Sequence, residues 1–242
     1  MSRHTLLLRL AGPMQSWGVQ SRFSRRETAL EPTKSGVIGL VCAALGRARE
    51  ASVSDLATLR FGVRVDREGT LRRDYHTAGR GGFIRARGAI EREDVVLSHR
   101  FYLADAWFTA GLEGGEEALP LLRAVDEALG RPRWPLSLGR KAFPPAAPVR
   151  ILAAGGSPTG LVAQPLAEAL LAFEDPYWRE VLNREPPRPR RIVLEADAVD
   201  ETALPGWQLT ARPVRPDQPI SFAPRRFALR EVAVYHATEA AP

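Results

Sequence analysis

The chain of 242 residues carries 34 Lys and Arg against 28 Asp and Glu, a formal net charge of +6. At 45% hydrophobic and 26% charged it has the apolar content for a sizeable core, which excludes global disorder; its single cysteine excludes an internal disulfide framework and a cysteine-rich zinc module. Its apolar runs fall short of a membrane span, and the Leu6–Leu8 cluster, closed by Arg9 and Gly12, is too short for the core of a signal peptide, so a soluble cytoplasmic protein without membrane contact is expected.

Thr5 to Ala11 reads as a buried first strand, stopped by Gly12-Pro13. A long loop from Met14 to Pro32 follows, carrying Gln15, Trp17, Arg22, Phe23, Arg25 and Arg26. Val37, Ile38, Val41, Ala44 and Leu45 recur at helical spacing and Gly46 suits the stop; Thr33 or Ser35 would cap this helix, whose first N–H groups beside Lys34 form a ready anion site. Leu59 to Asp66, Arg72 to Thr77 and Val95 to Tyr102 read as strands. The Gly- and Arg-rich segment between the last two is too polar for a core and reads as a protruding β-hairpin or a mobile loop. Ala104 to Leu112 is a further strand, Glu116 to Leu129 a second amphipathic helix, and Leu136 to Phe143 a last strand or the loop beside it. This order fits a βαββαβ unit of the ferredoxin-like or RNA-recognition-motif type, an α+β fold. After Pro144-Pro145 the composition shifts: a short helix at Leu166 to Phe173, a Pro-rich stretch at Arg184 to Arg190, then strands at Ile192 to Ala196, Trp207 to Pro213 and Phe227 to His236. We divide the chain into residues 1–146 and a small β-rich region, residues 147–242, which is either a second domain or extra strands on the first.

Two of the basic residues are lysines, Lys34 and Lys141; the rest are arginines, whose guanidinium forks onto phosphate and stacks on bases. Met1 to Arg26 and Ala128 to Ala167 contain no acid, whereas Glu113 to Glu117 and Glu195 to Glu201 are acidic. Such segregation predicts a cationic face suited to a polyanion, and Arg interleaved with Trp17, Phe23 and Phe83 suits single-stranded RNA. His4, His76, His99 and His236 show no ligand spacing, so no metal site and no cofactor are expected; a P-loop and a G-x-S-x-G elbow are absent. Tyr75 and His76, with Lys34 or Lys141, would suffice for a metal-independent endoribonuclease, against the simpler reading that they pack in a strand.

Five blocks, Leu6 to Gly18 (LLLRLAGPMQSWG), Glu27 to Gly46 (ETALEPTKSGVIGLVCAALG), Arg72 to Ala78, Leu138 to Pro145 (LGRKAFPP) and Arg225 to Tyr235, together resemble the CasD-like subunits of type I-E Cascade, a CRISPR surveillance complex, within the RAMP superfamily. The resemblance implies an RNA-recognition-motif fold with a thumb-like hairpin, here at residues 74–100. It implies a non-catalytic RNA-binding subunit that caps the 5′ handle of the CRISPR RNA for antiviral defence. Its partners would be the CasC backbone subunit, the large CasA subunit and the other Cascade subunits, with target DNA met through the complex. Carried onto this chain, the handle would be gripped by Gln15, Trp17, Arg22, Arg25, Arg26, Lys34 and Ser35. Arg73, His76, Arg80, Arg85 and Arg87 would act from the hairpin, and Arg140, Lys141, Arg225 and Arg226 would add phosphate contacts. No residue is assigned a catalytic role; the endoribonuclease of CRISPR repeat RNA is the alternative.

Overall fold

A computed structural model of the chain describes residues 2–18, 24–79, 81–84, 88–92, 95–153, 155–198 and 204–238. It begins with β1 (Arg3–Ala11), β2 (Met14–Gln15), β3 (Arg25–Arg26), α1 (Lys34–Leu45) and α2 (Ser54–Ala57). Next come β4 (Arg60–Arg67), β5 (Thr70–Ala78), β6 (Phe83–Ile84), β7 (Ile90–Glu91), β8 (Val96–Ala104), β9 (Trp107–Gly115) and α3 (Leu119–Gly130). The chain closes with β10 (Leu161–Val162), α4 (Leu166–Ala172), α5 (Pro176–Glu180), β11 (Arg191–Glu195), β12 (Trp207–Ala211), β13 (Val214–Ser221) and β14 (Arg226–Ala237).

The main sheet runs β10-β1-β9-β4-β11-β14-β12, with β13 paired to β14. Period-two alternation in β1 explains its two faces. Leu6, Leu8 and Leu10 join Ile38 and Val41 of α1 and Leu122 and Val125 of α3 in one core, while Leu7 joins Leu166 and Leu170 of α4 with Ile192 and Tyr235 in a second. α4 lies close to the sheet because β4 and β9 present glycines beneath it: a Cβ at Gly111 would sit 2.5 Å from Leu166 Cδ1, and one at Gly62 3.0 Å from Leu170 Cδ1. Residues 147–242 share this sheet with the N-terminal part through the pairing of β11 with β4.

Several predicted elements shift. The strand expected at Ala104 to Leu112 occupies Trp107–Gly115, and α3 begins at Leu119 after a 3-10 turn at Glu116–Ala118. Leu136 to Phe143 is irregular, so it is not the last strand of the unit; β10, together with a bridge from Arg150 to Leu8, takes the place beside β1. β13 escaped the sequence reading because Pro216 and Pro219 break its pattern; register shifts between Arg215 and Gln218 and between Pro219 and Ser221 accommodate them. The hairpin is longer than expected: β5 and β8 pair without interruption from Thr70 opposite Ala104 to Ala78 opposite Val96, and β6 and β7 form its tip.

Candidate nucleic-acid interface

The two motif blocks of greatest specificity build the interior rather than a free grip. Trp17 is 1% exposed, and its indole lies so close to α1 that a Cβ at Gly36 would meet Trp17 Cε3 at 2.8 Å. Its Nε1 donates to Gln15 Oε1 (3.1 Å), and Gln15 Nε2 donates to the carbonyls of Leu10 and Ala106 (3.0 and 2.9 Å). Thr33 caps α1 by accepting from the Gly36 N–H (3.2 Å). The anion site expected at this helix start is filled from within: the Lys34 N–H donates to Asp217 Oδ2 (2.9 Å) and Lys34 Nζ to Glu195 Oε1 (2.8 Å). Arg230 holds the same Asp217 with two bonds (2.9 and 2.8 Å). Gln15, Trp17 and Lys34 therefore do not offer their side chains to a ligand, which corrects their assignment as RNA contacts. Burial holds the Lys34 ammonium below its usual pKa, against the pull of Glu195.

Other arginines from acid-free stretches are likewise matched by acids distant in sequence. Buried Arg9 pairs bidentately with Asp175 (2.6 and 2.5 Å), Arg150 with Asp126 (3.1 and 2.6 Å), and Arg191 and Arg215 both reach Glu31. The last group borders a cavity of about 410 Å³ between the 27–33 segment and β13, whose cations are thus already matched.

A different cationic cluster forms where the hairpin joins the body. β3 pairs in parallel with β8, placing Arg25 beside His99 and Arg26 beside Arg100. Alternation along β5 and β8 then divides the hairpin into two faces. One bears Arg72, Asp74 and His76 opposite Tyr102, Arg100 and Ser98; the other bears Arg73 and Tyr75 opposite Phe101 and His99. The 138–143 loop lies over the first face. Phe143 packs on Tyr102 (5.9 Å between ring centroids), and Arg140 Nη2 donates to the Arg26 carbonyl (3.0 Å). Burial first, then the guanidiniums of Arg100 and Arg26, depress the pKa of Arg140, with Asp74 opposing them. Among the described residues three guanidiniums thus face one carboxylate, Asp74, which is shared with His76 (Nδ1 to Oδ2, 3.5 Å). Gly139 fixes this loop: its φ of +88° suits glycine, and a Cβ there would fall 1.7 Å from the Ser16 carbonyl oxygen. On the second face Arg25 lies over Phe101 (5.1 Å), with its Nε 2.8 Å from Glu27, and Tyr75, 60% exposed, packs against His99 (5.3 Å).

The remaining predicted site residues distribute as follows. Arg73 and Lys141 are exposed near the cluster, and Ser35 is half-buried in the first turn of α1. Arg225 and Arg226 are exposed on the β13–β14 turn, which follows Phe222, itself packed near Gly39 of α1; no contact among the described residues joins them to the hairpin cluster. Arg22, Arg80, Arg85 and Arg87 lie outside the described residues. Arg100 was missed by the sequence reading; the signal for it was its place in a strand whose partner, β5, carries Arg72, Asp74 and His76 at alternate positions. Of the residues named for a ribonuclease, Tyr75 and His76 are adjacent on a strand and point to opposite faces, Lys34 is buried in its own ion pair, and Lys141 is exposed. Among the described residues no group of His, Cys, Asp and Glu gathers as a metal site, and no helix is long and apolar enough to cross a membrane.

The family model described as CRISPR-associated protein (Cas_Cas5) matches residues 5–233. The chain is 32% identical to the CRISPR system Cascade subunit CasD of Escherichia coli (strain K12), over 95% of this chain and 94% of that protein. Among solved structures it is similar to a Cas protein crystal structure, at 39% identity and a TM-score of 0.65 over 98% of this chain and 97% of the other. It is also similar to a chain of a CRISPR RNA-guided surveillance complex, at 31% identity and a TM-score of 0.71 over 98% and 91%.

Proposed function

The chain belongs to the CRISPR-associated Cas5 family, and from that membership we propose that it is a CasD-type subunit of a type I-E Cascade, a non-catalytic RNA-binding protein that caps the 5′ handle of the mature CRISPR RNA. The observation that carries this reading is the cluster of Arg26, Arg100 and Arg140 at the hairpin base, like charges held together with Asp74 the one carboxylate beside them among the described residues, a crowding that a phosphate backbone would relieve. The strand order β10-β1-β9-β4, with α1 and α3 over one face, supports a ferredoxin-like RAMP unit from which the β5–β8 hairpin projects as the thumb. Phosphates would sit against the Arg72, Arg100 and Arg140 face, with Lys141 and Arg26 at its border; Arg73 and His76 would act along the hairpin. Tip arginines Arg80, Arg85 and Arg87, together with Arg22, would extend the grip, and Arg225 and Arg226 would contact phosphate or a neighbouring subunit. The CasC backbone subunit, CasA and the other Cascade subunits would be its protein partners, target DNA would be reached through them, and the work would be done in the cytoplasm.

Purification of the chain with its neighbouring subunits tests the reading. A short RNA of uniform 5′ end should accompany the complex, and incubation of the chain with repeat RNA in EDTA should leave that RNA intact. Cleavage that vanishes in His76→Ala would instead make the chain the endoribonuclease.

A further inference from the structure

The five tryptophans divide sharply. Trp17, Trp107 and Trp178 are buried and Trp207 is half-buried, but Trp134 is 43% exposed. It lies in the segment Arg131-Pro132-Arg133-Trp134-Pro135, every residue of which is exposed. An exposed indole forgoes the burial that makes tryptophan useful in a core, so its place needs a reason.

Its backbone is not a loose tail. The Arg133 N–H donates to the Ala44 carbonyl (2.9 Å) and the Trp134 N–H to the Ala43 carbonyl (3.1 Å), which also accepts from the Gly46 N–H, so the segment is tied to the end of α1. Gly46 ends that helix with φ +72°, and a Cβ there would fall 2.6 Å from Arg133 Cγ, so the arginine stem lies across the glycine. Pro132 and Pro135 restrict the backbone on either side. The result is a fixed platform with its side chains facing outward.

No acid occurs from Ala128 to Ala167, and among the described residues no ion pair engages Arg131 or Arg133. Arg47, at the same helix end, is already taken by Asp55 (2.6 and 2.5 Å). The segment continues directly into the loop that carries Arg140: Leu138 accepts from the Ser16 N–H (3.1 Å) and Arg140 meets Arg26. Five residues lie between Trp134 and Arg140, a span of at most about 22 Å. An aromatic ring flanked by guanidiniums, on the segment that leads into the Arg140 loop, is the arrangement that stacks a nucleobase and holds its phosphates. An acidic protein would answer the charge but would leave the ring without a comparable flat partner.

We propose that Arg131, Arg133 and Trp134 form a second subsite for single-stranded nucleic acid, a base-stacking platform at the α1 end of the loop whose other end carries Arg140. The proposal deepens the handle-binding reading and rests on it. Binding there requires no sequence-specific contact, because every base presents a π-face, and it would hold the strand after it leaves the hairpin base.

The full-length chain and a short uridine-rich single-stranded RNA provide the test. Tryptophan emission of the free chain should be quenched by acrylamide mainly through Trp134, and saturating RNA should protect it. Trp134→Ala should abolish that quenchable component and weaken RNA binding about tenfold, while Trp134→Phe, which keeps a ring, should stay within about threefold of the parent. Arg131→Glu with Arg133→Glu should flatten the salt dependence of binding. Unchanged affinity in Trp134→Ala, in a variant that melts as the parent does, overturns the proposal, as does protection by protein subunits alone with RNA removed. If Arg140→Glu abolishes binding while Trp134→Ala retains it, the platform fails and handle binding stands. RNA that does not bind the parent chain at all overturns both.

Discussion

At the scale of single residues, charge type alone does not reveal use. Lys34 and Arg140 both sit in sequence blocks that suggest phosphate binding, yet one is 2% exposed and neutralised by Glu195, and the other is pressed among like charges. Their variants should separate cleanly. Lys34→Ala removes the ammonium 2.8 Å from buried Glu195, leaving it only the Arg230 guanidinium at 3.5 Å while the residue-34 N–H still serves Asp217, and should cost about 3 kcal/mol, a drop in Tm of roughly 8 °C, with the salt slope of RNA binding unchanged. Arg140→Glu should leave Tm within about 2 °C and weaken RNA binding severalfold, because its removal relieves like-charge crowding in the folded chain. Thermal melting and RNA titration of both variants read this directly. Cys42 gives a pH test of the core. Burial pushes its thiol up to about 11, so the folded chain keeps the proton where an unfolded chain loses it above about 9. The stability tied to this group is whole below pH 9 and declines as pH rises towards 11. Alkylation at pH 8 should accordingly be roughly a hundredfold slower in the native chain than in urea.

At the scale of elements, periodicity made the first strand, both long helices and the hairpin legible, because each carries an uninterrupted apolar or alternating pattern. β13 was illegible because Pro216 and Pro219 interrupt it, and β10 because two residues carry no period. The site was legible in part. Arg26 and Arg140 meet at the hairpin base, with Arg25 on the opposite face over Phe101, but Arg100 was read only as a strand residue, and the Gln15–Trp17 turn looked functional although Trp17 packs against Gly36. Arginines such as Arg9 gave no sign that Asp175, 166 positions away, would neutralise them. The 138–143 loop is the element on which the cluster depends. Gly139→Ala forces a Cβ into the Ser16 carbonyl and should release Arg140 from Arg26, lowering both Tm and RNA affinity. Removal of residues 79–92 beyond the β5–β8 ladder should leave Tm within about 2 °C, because Ile84 and Ile90 are 74% and 64% exposed and bury little, while impairing assembly with guide RNA. A large fall in Tm would show the tip to be part of the core.

At the scale of the whole molecule, a two-sided sheet with α1 and α3 on one face and α4 on the other forms the base from which the β5–β8 hairpin projects. Positive charge inside that base is matched by Glu31, Asp175, Glu195 and Asp217; among the described residues, three guanidiniums at the hairpin base share Asp74. The salt-sensitive part of RNA affinity is therefore expected to centre on the hairpin base. The measurement that bears on this most directly is the salt dependence of handle RNA binding by the parent chain and by Arg26→Glu, Arg100→Glu, Arg140→Glu combined. Each lost phosphate contact should reduce the slope of log K against log salt by about 0.7, so the triple variant should lose roughly two units of slope along with most of its affinity. A triple variant that melts normally and binds the handle with the parent's slope would contradict the account.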